Sequence, residues 1–513
     1  MTENKMKIRH VIGVALALAF AARCEGFVTP RHVTLASMDK TAREIFQQSM
    51  DLDGQLFNED VKLVHRPGAR SEGERLGGYL VRESSWYALG LLLRDAVGDR
   101  QRAADILDAV LKQQYLTPGT KWYGTYRRTP DEPDPATNPV MWLGYDPNWR
   151  VFIGTTFQMI LIEYPDRIPA ELARRMYEAI DHAIEGEMKE GRLLPSYSNI
   201  ALMYGGLWDF AAVHDKNANW QKQSGEWTES VYSLFKKYDS FFEYNSPTYY
   251  GVDLYGLALW RDYGSTKRIQ TIGSEMEAML WKDIASFYNP LLRNISGPYD
   301  RSYGMDMENY VSVVGVWMRT LLDAQNAPLP KITASTDHVA DVGFAPHLAI
   351  LGTRIPPDAL EQMKKFQGDH LLHKQITEER VATAWIGRDV MFGGEITGKT
   401  KDAGTTTQFH PATIQWRTPT GQIGWVRLME SPMIDATADK QGLTISATGT
   451  VRLRLHAKNL VQTQISATTW DLPGLIVVVS SDAKNFSLEK TDDSVDVVYA
   501  GMTRMKLEIK TSQ

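Results

Sequence analysis

Apolar positions along this chain repeat with two different periods, and the change of period divides it. From about Leu76 to Ala324 the spacing is helical almost throughout. In "PAELARRMYEAIDHAIEGE", Pro169 suits a first helical turn, and Leu172, Met176, Ala179, Ile180, Ala183 and Ile184 recur three and four residues apart, the spacing that lines one helix face. "SEMEAMLWKDIASFY" repeats the spacing with Met276, Met279, Leu280, Ile284 and Phe287. Further segments, from "YLVRESSWYALGLLLRDA" to "NYVSVVGVWMRTLLDA", alternate with polar loops, and the pattern predicts about ten helices. No fixed repeat motif recurs, which points to an irregular toroid of helical hairpins rather than a solenoid.

Ala327-Pro328-Leu329-Pro330 breaks the helical pattern, and beyond it the period falls to two. "TVRLRLHA" alternates at Val451, Leu453 and Leu455, and "VATAWIGRDVMFGG", "ATIQWRT", "IGWVRLM", "GLIVVVSS", "VDVVYAG" and "MKLEIKT" also read as strands. The expected fold is therefore α+β and multidomain. An N-terminal (α/α) toroid of helical hairpins occupies residues 25–328, and an antiparallel β-sandwich occupies residues 329–513.

Composition adds bounds. A chain of 513 residues with 43% hydrophobic content exceeds one typical core, in keeping with two domains. The formal net charge of -6 and the lack of a lysine or arginine run argue against a nucleic-acid partner. Residues 1–24 read as a signal peptide: Lys5, Lys7, Arg9 and His10 precede "VIGVALALAFAA", and Ala19-Phe20-Ala21 resembles a cleavage site. That apolar run is too short to span a bilayer comfortably, so a secreted or periplasmic protein without stable membrane insertion is expected. Cys24 is the only cysteine, which excludes an intramolecular disulfide, and Arg23 before it departs from the small-residue pattern of a lipoprotein signal. "NIS" at Asn294 and "NFS" at Asn485 are acceptor sequons in a host that glycosylates.

Four aromatic and polar blocks sit at loop-to-helix junctions: "GYDPNWRVFIG", "LPSYSNIALMYGG", "FFEYNSPTYYGVDLYGLALW" and "GPYDRSYGMDMENY". Any single residue in them has a plain structural reading, Asp146 or Asn148 as a cap, Trp149 as core, Tyr249 and Tyr250 as rings packed on neighbouring helices. Their joint occurrence at successive helix starts instead suggests a shared cleft. Aromatic faces stack on sugar rings, and amides and arginine hydrogen-bond hydroxyls and carboxylates, so a polysaccharide or oligosaccharide is the expected partner. The 14 Trp and 22 Tyr of the chain favour the same reading.

Two reactions then compete. In β-elimination a base removes the proton beside a uronic acid carboxylate, which the site must neutralise. The candidates are Tyr249 or Tyr250 as base or acid, Asn148 and Asn199 as carboxylate partners, and Arg150 or Arg301 as the cation, with Trp149, Glu243, Asn245, Asp300 and Tyr303 contacting sugar. In hydrolysis two carboxyl groups flank the glycosidic bond, and the candidates are Glu243, Asp253, Asp300 and Asp306. A third class, a non-catalytic glycan-binding protein, needs the aromatics but not the ionisable groups. No HExxH, paired cysteines or calcium loop appears, nor a glycine-rich phosphate loop, a dinucleotide fingerprint or a GxSxG elbow. No metal and no cofactor is expected. Oligomeric state stays open.

A helical toroid followed by an antiparallel β-sandwich resembles the polysaccharide lyases that include chondroitin, hyaluronate, alginate and heparin/heparan lyases. "NSPTYYGVDLYGL" is similar to the serine-proline and tyrosine-bearing helix starts of the heparinase and alginate lyase branches, and "NW" in "DPNWR" to asparagine-tryptophan pairs of chondroitin-type enzymes. The resemblance implies β-elimination of a uronic acid-containing glycan, Tyr249 or Tyr250 in the tyrosine role, Asn199 or Asn148 in the amide role, and a histidine that assists. Tyr250 stands where some relatives have that histidine. His182 reads as a surface residue, His214 as a charge at a helix C-terminus, and His410 in "TTTQFHPATIQW" as either a turn residue or a group reaching the cleft from the β-domain.

Overall fold

The computed structural model describes residues 28–66, 77–401, 403, 408–491 and 493–511, so the signal-like residues 1–24 lie outside it. Helix α1 (Lys40–Leu56) precedes a small antiparallel sheet of β1 (Phe57–Asn58), β2 (Leu63–Arg66) and β3 (Gly78–Leu80). Four helical hairpins follow: α2 (Val81–Arg94) with α3 (Asp99–Leu111), α4 (Trp149–Glu163) with α5 (Ala170–Glu190), α6 (Ser198–His214) with α7 (Ala218–Lys236), and α8 (Tyr249–Tyr263) with α9 (Lys267–Phe287). The strand pair β4 (Tyr288–Asn289) and β5 (Asn294–Ile295) then leads to α10 (Val313–Leu321), α11 (Ala345–Leu351) and α12 (Pro357–Lys364).

The hairpins alternate between two kinds of helix. In α4 every residue but Phe152 is buried, and α6 and α8 are nearly as enclosed. A helix apolar on all sides has to be surrounded. In α5 only the face carrying Leu172, Met176, Ala179, Ile180, Ala183 and Ile184, with Gly186 and Glu187, is buried. The enclosed helices, together with the one-faced α1, form an inner ring in which α1, α2, α4, α6, α8 and α10 each pack on the next and α10 packs back on α1, while α3, α5, α7 and α9 lie outside. Helix α11, buried along its length, packs on α1, α2, α8 and α10 and fills the ring. Helix α1, which lies before the stretch read as helical from the sequence, closes the toroid by burying Ile45, Phe46, Met50 and Leu52. The ring is tight at Gly251, where a Cβ would come within 2.5 Å of the backbone of Val313 and Val314.

The period-two region forms an antiparallel sheet of 11 strands: β6 (His370–Gln375), β7 (Val381–Ile386), β8 (Val390–Ile396), β9 (Ala412–Arg417), β10 (Ile423–Glu430), β11 (Asp435–Asp439), β12 (Gly442–His456), β13 (Thr469–Leu472), β14 (Leu475–Ser481), β15 (Asn485–Lys490) and β16 (Ser494–Thr511). The segments "VDVVYAG" and "MKLEIKT" are halves of the single strand β16. Strands β12 and β16 pair along their lengths across register shifts near Gly449. Before the shift β12 takes β11 as its other neighbour, opposite the half of β16 that takes β14, and after it β10, opposite the half of β16 that takes β15. Long strands that change partners at a bulge turn the corner between two layers, and Ile414, Trp416, Leu453, Leu455, Trp470, Val477 and Val497 are among the buried residues of their core.

The change from helix to strand expected at 328/329 is corrected by this path. Prolines 328 and 330 end the region of α10, but α11 and α12 return to the toroid because Ala345–Leu351 is wholly apolar apart from His347, and the first strand begins at His370. Sheet and toroid meet through buried polar contacts. Arg380 binds Asp300 at 2.6 Å and Glu395 at 2.7 Å and donates to the carbonyl of Phe242 at 3.0 Å. Tyr299 and His410 exchange backbone hydrogen bonds. Asn294, one of the two sequons, is fully buried with its amide on the Met305 carbonyl at 2.8 Å, so it is no acceptor in the folded protein. Among the described residues no helix is long and apolar enough to cross a membrane.

Candidate active site

Five of the inner helices, α2, α4, α6, α8 and α10, point their N-termini the same way, and a cavity of about 640 Å³ lies at that end of the ring; α1 runs the other way, its Thr41 hydroxyl donating to the Thr320 carbonyl at the far end of α10 at 2.6 Å. Arg82 and Trp86 reach it from the start of α2, Asn148, Trp149 and Phe152 from α4, Tyr197, Asn199 and Ile200 from α6, Thr248, Tyr249 and Val252 from α8, and Val313 from α10. All four aromatic and polar blocks therefore meet at one place. The last of them contributes Arg301 and Tyr303, and the sheet region contributes Gln408. Converging helix N-termini give such a cavity a positive potential without any net positive charge on the chain.

Helical phase decides which residue of each block faces the cavity. Successive helical residues are about 100° apart, so Tyr249 and Tyr250 cannot both look inward. The Ser246 hydroxyl accepts the Tyr249 N–H at 3.1 Å and the Ser246 carbonyl accepts the Tyr250 N–H at 2.9 Å, which starts α8 with Tyr249 facing the cavity. Tyr250 turns to the core and donates to Asp283 at 3.0 Å, which in turn pairs with Lys374 at 3.0 Å. Trp149 and Arg150 divide in the same manner. Arg150 is 0% exposed, bound to Glu187 at 3.0 Å, Glu190 at 2.6 Å and the carbonyl of Tyr123 at 3.0 Å, and does not line the cavity.

The centre of the site is a compact polar set. The Tyr249 and Tyr303 hydroxyls are 2.5 Å apart, and Arg301 donates to the Tyr249 oxygen at 2.7 Å with its guanidinium 3.8 Å from the Tyr249 ring centroid. Arg301 also binds Glu243 at 2.6 Å and Gln408 at 3.1 Å. The second oxygen of Glu243 accepts from Ser198 at 3.2 Å and from the Asn199 amide. Asn148 donates to the Tyr197 hydroxyl at 3.1 Å and accepts from Arg192 at 2.8 Å. Burial pushes the Tyr249 phenol well above its ordinary range, reinforced by Tyr303 and opposed by the Arg301 charge, so it is a neutral phenol at rest. Burial likewise raises the Glu243 carboxyl, against the pull of Arg301.

Several residues expected at the site stand elsewhere. Asn245 spends its amide on the carbonyls of Ser296 at 2.7 Å and Pro298 at 2.8 Å, fixing the loop beneath Asp300 and Arg301. Asp300 is held by Arg380 and Lys401 and joins toroid to sheet. His410 is 2% exposed, with Nε2 3.3 Å from the Ser302 carbonyl, and burial lowers its imidazole to about 3. Among the described residues, the group the sheet region sends to the cavity is Gln408, two residues earlier. Of the four carboxyls named for hydrolysis, none lines the cavity: Glu243 lies behind Arg301, Asp253 is 0% exposed, Asp300 is in the interface, and Asp306 accepts from the Glu308 N–H at 2.9 Å and the Asn309 amide at 2.7 Å.

Other lining residues escaped the sequence reading. His338, beyond the helix-breaking prolines, stacks on Tyr303 with ring centroids 4.2 Å apart. Arg82 lies 4.8 Å from the Trp86 ring, 5.1 Å from Trp149 and 5.1 Å from Phe152, and pairs with Glu83 at 2.6 Å. It starts an inner helix, the same signal that marked the other blocks. Asp146 lines the cavity too, its carboxyl raised by burial although the Asn148 N–H at 2.9 Å opposes the shift. Among the described residues no group of three or more His, Cys, Asp or Glu could hold a metal ion.

Comparisons with known proteins follow the same division of the chain. Solved structures similar to it include heparinase III, 10% identical with a TM-score of 0.43 over 97% of this chain and 89% of that one. A heparan sulfate lyase HepC mutant from Pedobacter heparinus is 13% identical with a TM-score of 0.31, over 94% of this chain and 85% of that one. Endoglucanase CelQ from Clostridium thermocellum is 10% identical with a TM-score of 0.27, over 92% of each chain. No curated protein matches the sequence. Residues 368–503, all but the last strand's end of the sheet region, match a domain of unknown function, DUF8770. Residues 43–353, which hold the toroid and nearly the whole cavity lining, match a domain of unknown function, DUF8769, and by this match over more than half its length the chain belongs to the DUF8769 family.

Proposed function

We propose that the protein is an enzyme that degrades a uronic acid-containing polysaccharide by β-elimination. The observation that carries this reading is the contact of Tyr249, Tyr303 and Arg301 inside a cavity ringed by helix N-termini. Elimination breaks the C5–H and C4–O bonds and forms a C4=C5 double bond, so one group must accept the C5 proton and another must give a proton to the departing oxygen. A neutral phenol held by Arg301 and Tyr303 suits the donor role, and Tyr249 fills it. His338, stacked on Tyr303 in the same cavity, fills the acceptor role. The positive field of the helix starts together with Arg301 offsets the uronate carboxylate, and Asn199 and Asn148 with Trp149 and Tyr303 hold sugar hydroxyls and ring faces.

The roles differ in how directly each residue acts. All three guanidinium nitrogens of Arg301 are engaged, with Gln408, Glu243 and Tyr249, so it orients the Tyr249 hydroxyl as well as supplying charge. Export through the signal-like N-terminus would bring the enzyme to an extracellular or periplasmic glycan. One observation favours hydrolysis instead, the raised carboxyl of Asp146 on the cavity wall, since a general acid needs such a shift. Incubation with uronate polysaccharides separates the two, because elimination alone creates an unsaturated uronate that absorbs in the ultraviolet.

A further inference from the structure

The loop between α3 and α4 carries an aromatic face that packing does not use. Trp142 is 51% exposed, with Val140 and Leu143 beside it each 63% exposed. Exposure here does not mean a loose loop. The Trp142 N–H donates to the Tyr145 carbonyl at 2.7 Å and the Gly144 N–H to the Val140 carbonyl at 2.8 Å. Arg128 donates to the Trp142 carbonyl at 3.0 Å and the Leu143 carbonyl at 2.8 Å, and its charge is matched by Glu132. These bonds hold Trp142 at φ 64°, a backbone region that non-glycine residues adopt only when surrounding contacts impose it.

The same indole lines the cavity that holds Tyr249 and Arg301, so it stands on the rim, partly in the cavity and partly on the outer surface. We infer that Trp142 is a sugar-stacking subsite at the cavity mouth, which binds a pyranose ring of the glycan beyond the sugars at the Tyr249 centre. The inference rests on the glycan reading of that cavity. A pyranose presents a face of C–H bonds, and a broad indole fixed from its backbone side is the surface such a face covers. A chain longer than the cavity continues past its rim, and Trp142 stands on that rim. The subsite therefore makes affinity depend on chain length.

The test compares wild type, Trp142→Ala and Trp142→Phe in calorimetric binding and initial rates, using size-fractionated heparan sulfate and alginate oligosaccharides as probes. Wild type is expected to bind decasaccharide more tightly than tetrasaccharide with at least one probe. Trp142→Ala is expected to weaken decasaccharide binding about tenfold and raise its KM by a similar factor, with a much smaller change for tetrasaccharide, and Trp142→Phe to recover most of the loss. Equal wild-type affinity for the two lengths, binding of neither probe, or an equal loss for both lengths in Trp142→Ala overturns the subsite. Length-dependent binding lost in Trp142→Ala without any unsaturated product supports the subsite while counting against elimination.

Discussion

Replacing Tyr249 by Phe removes one oxygen from the centre of the cavity and leaves the ring. That oxygen is 2.7 Å from Arg301 and 2.5 Å from Tyr303, so the variant strands one guanidinium donor and one phenol. The loss of a buried partner costs about 1–3 kcal/mol of stability. The stack of Arg301 on the ring at 3.8 Å does not need the hydroxyl and persists, which keeps the cavity shape and substrate affinity. Loss of a positioned proton donor slows turnover by about 100- to 10,000-fold, or about 2.7 to 5.4 kcal/mol of barrier at 1.36 kcal/mol per decade. The chemical effect thus exceeds the structural one. Initial rates of unsaturated-uronate formation, with KM and denaturant unfolding measured on the same preparations, read both. Tyr250→Phe is the control, because its hydroxyl donates to Asp283 in the core and not to the cavity: stability falls by a similar amount and kcat stays. A Tyr249→Phe enzyme whose kcat is within about threefold of wild type refutes the assignment of Tyr249 as proton donor.

Three further outcomes follow from the buried charges. Arg150→Ala should destabilise the fold by about 3 kcal/mol in urea unfolding, near the low end for a broken buried pair because Arg192 still reaches Glu187 at 2.8 Å; its KM should be unchanged. Burial, then the neighbouring Glu308, raises the Asp306 carboxyl to about 6. A raised carboxyl contributes stability below the unfolded value near 3.8 and loses it as pH rises through 6, a swing of about 3 kcal/mol, so Asp306→Asn should match wild type at pH 4 and exceed its stability at pH 8. Because burial keeps the Tyr249 phenol protonated past its ordinary range, kcat/KM should show no alkaline decline below about pH 10; a rate that instead climbs steadily through that range would assign the tyrosine as base.

Two kinds of information were legible before any coordinates. The three- and four-residue spacing in α5 and α9 and the alternation in β12 are local, and they set the helical and sheet regions. The blocks at helix starts located the cavity, because a toroid brings the N-termini of its inner helices together. What the chain could not reveal was helical phase at those starts: Tyr249 and Tyr250, or Trp149 and Arg150, are equal candidates until the partners of each are known. Asn245 and Asp300 have the composition of site residues, yet their bonds to the Ser296 carbonyl and Arg380 belong to the support beneath the site. His338 gave no signal at all, since it reaches the cavity on a return of the chain after two prolines. Arg82 could have been found by the rule that found the rest, as "YLVRESSW" is another inner-helix start.

Elimination at Tyr249 is tested by ultraviolet absorbance of the purified protein incubated with a panel of uronate polysaccharides, with reducing ends counted in parallel. Absorbance and reducing ends are expected to rise together in wild type and both to fall in Tyr249→Phe. New reducing ends without absorbance would contradict it and transfer the chemistry to hydrolysis, with Asp146 as the first carboxyl to replace.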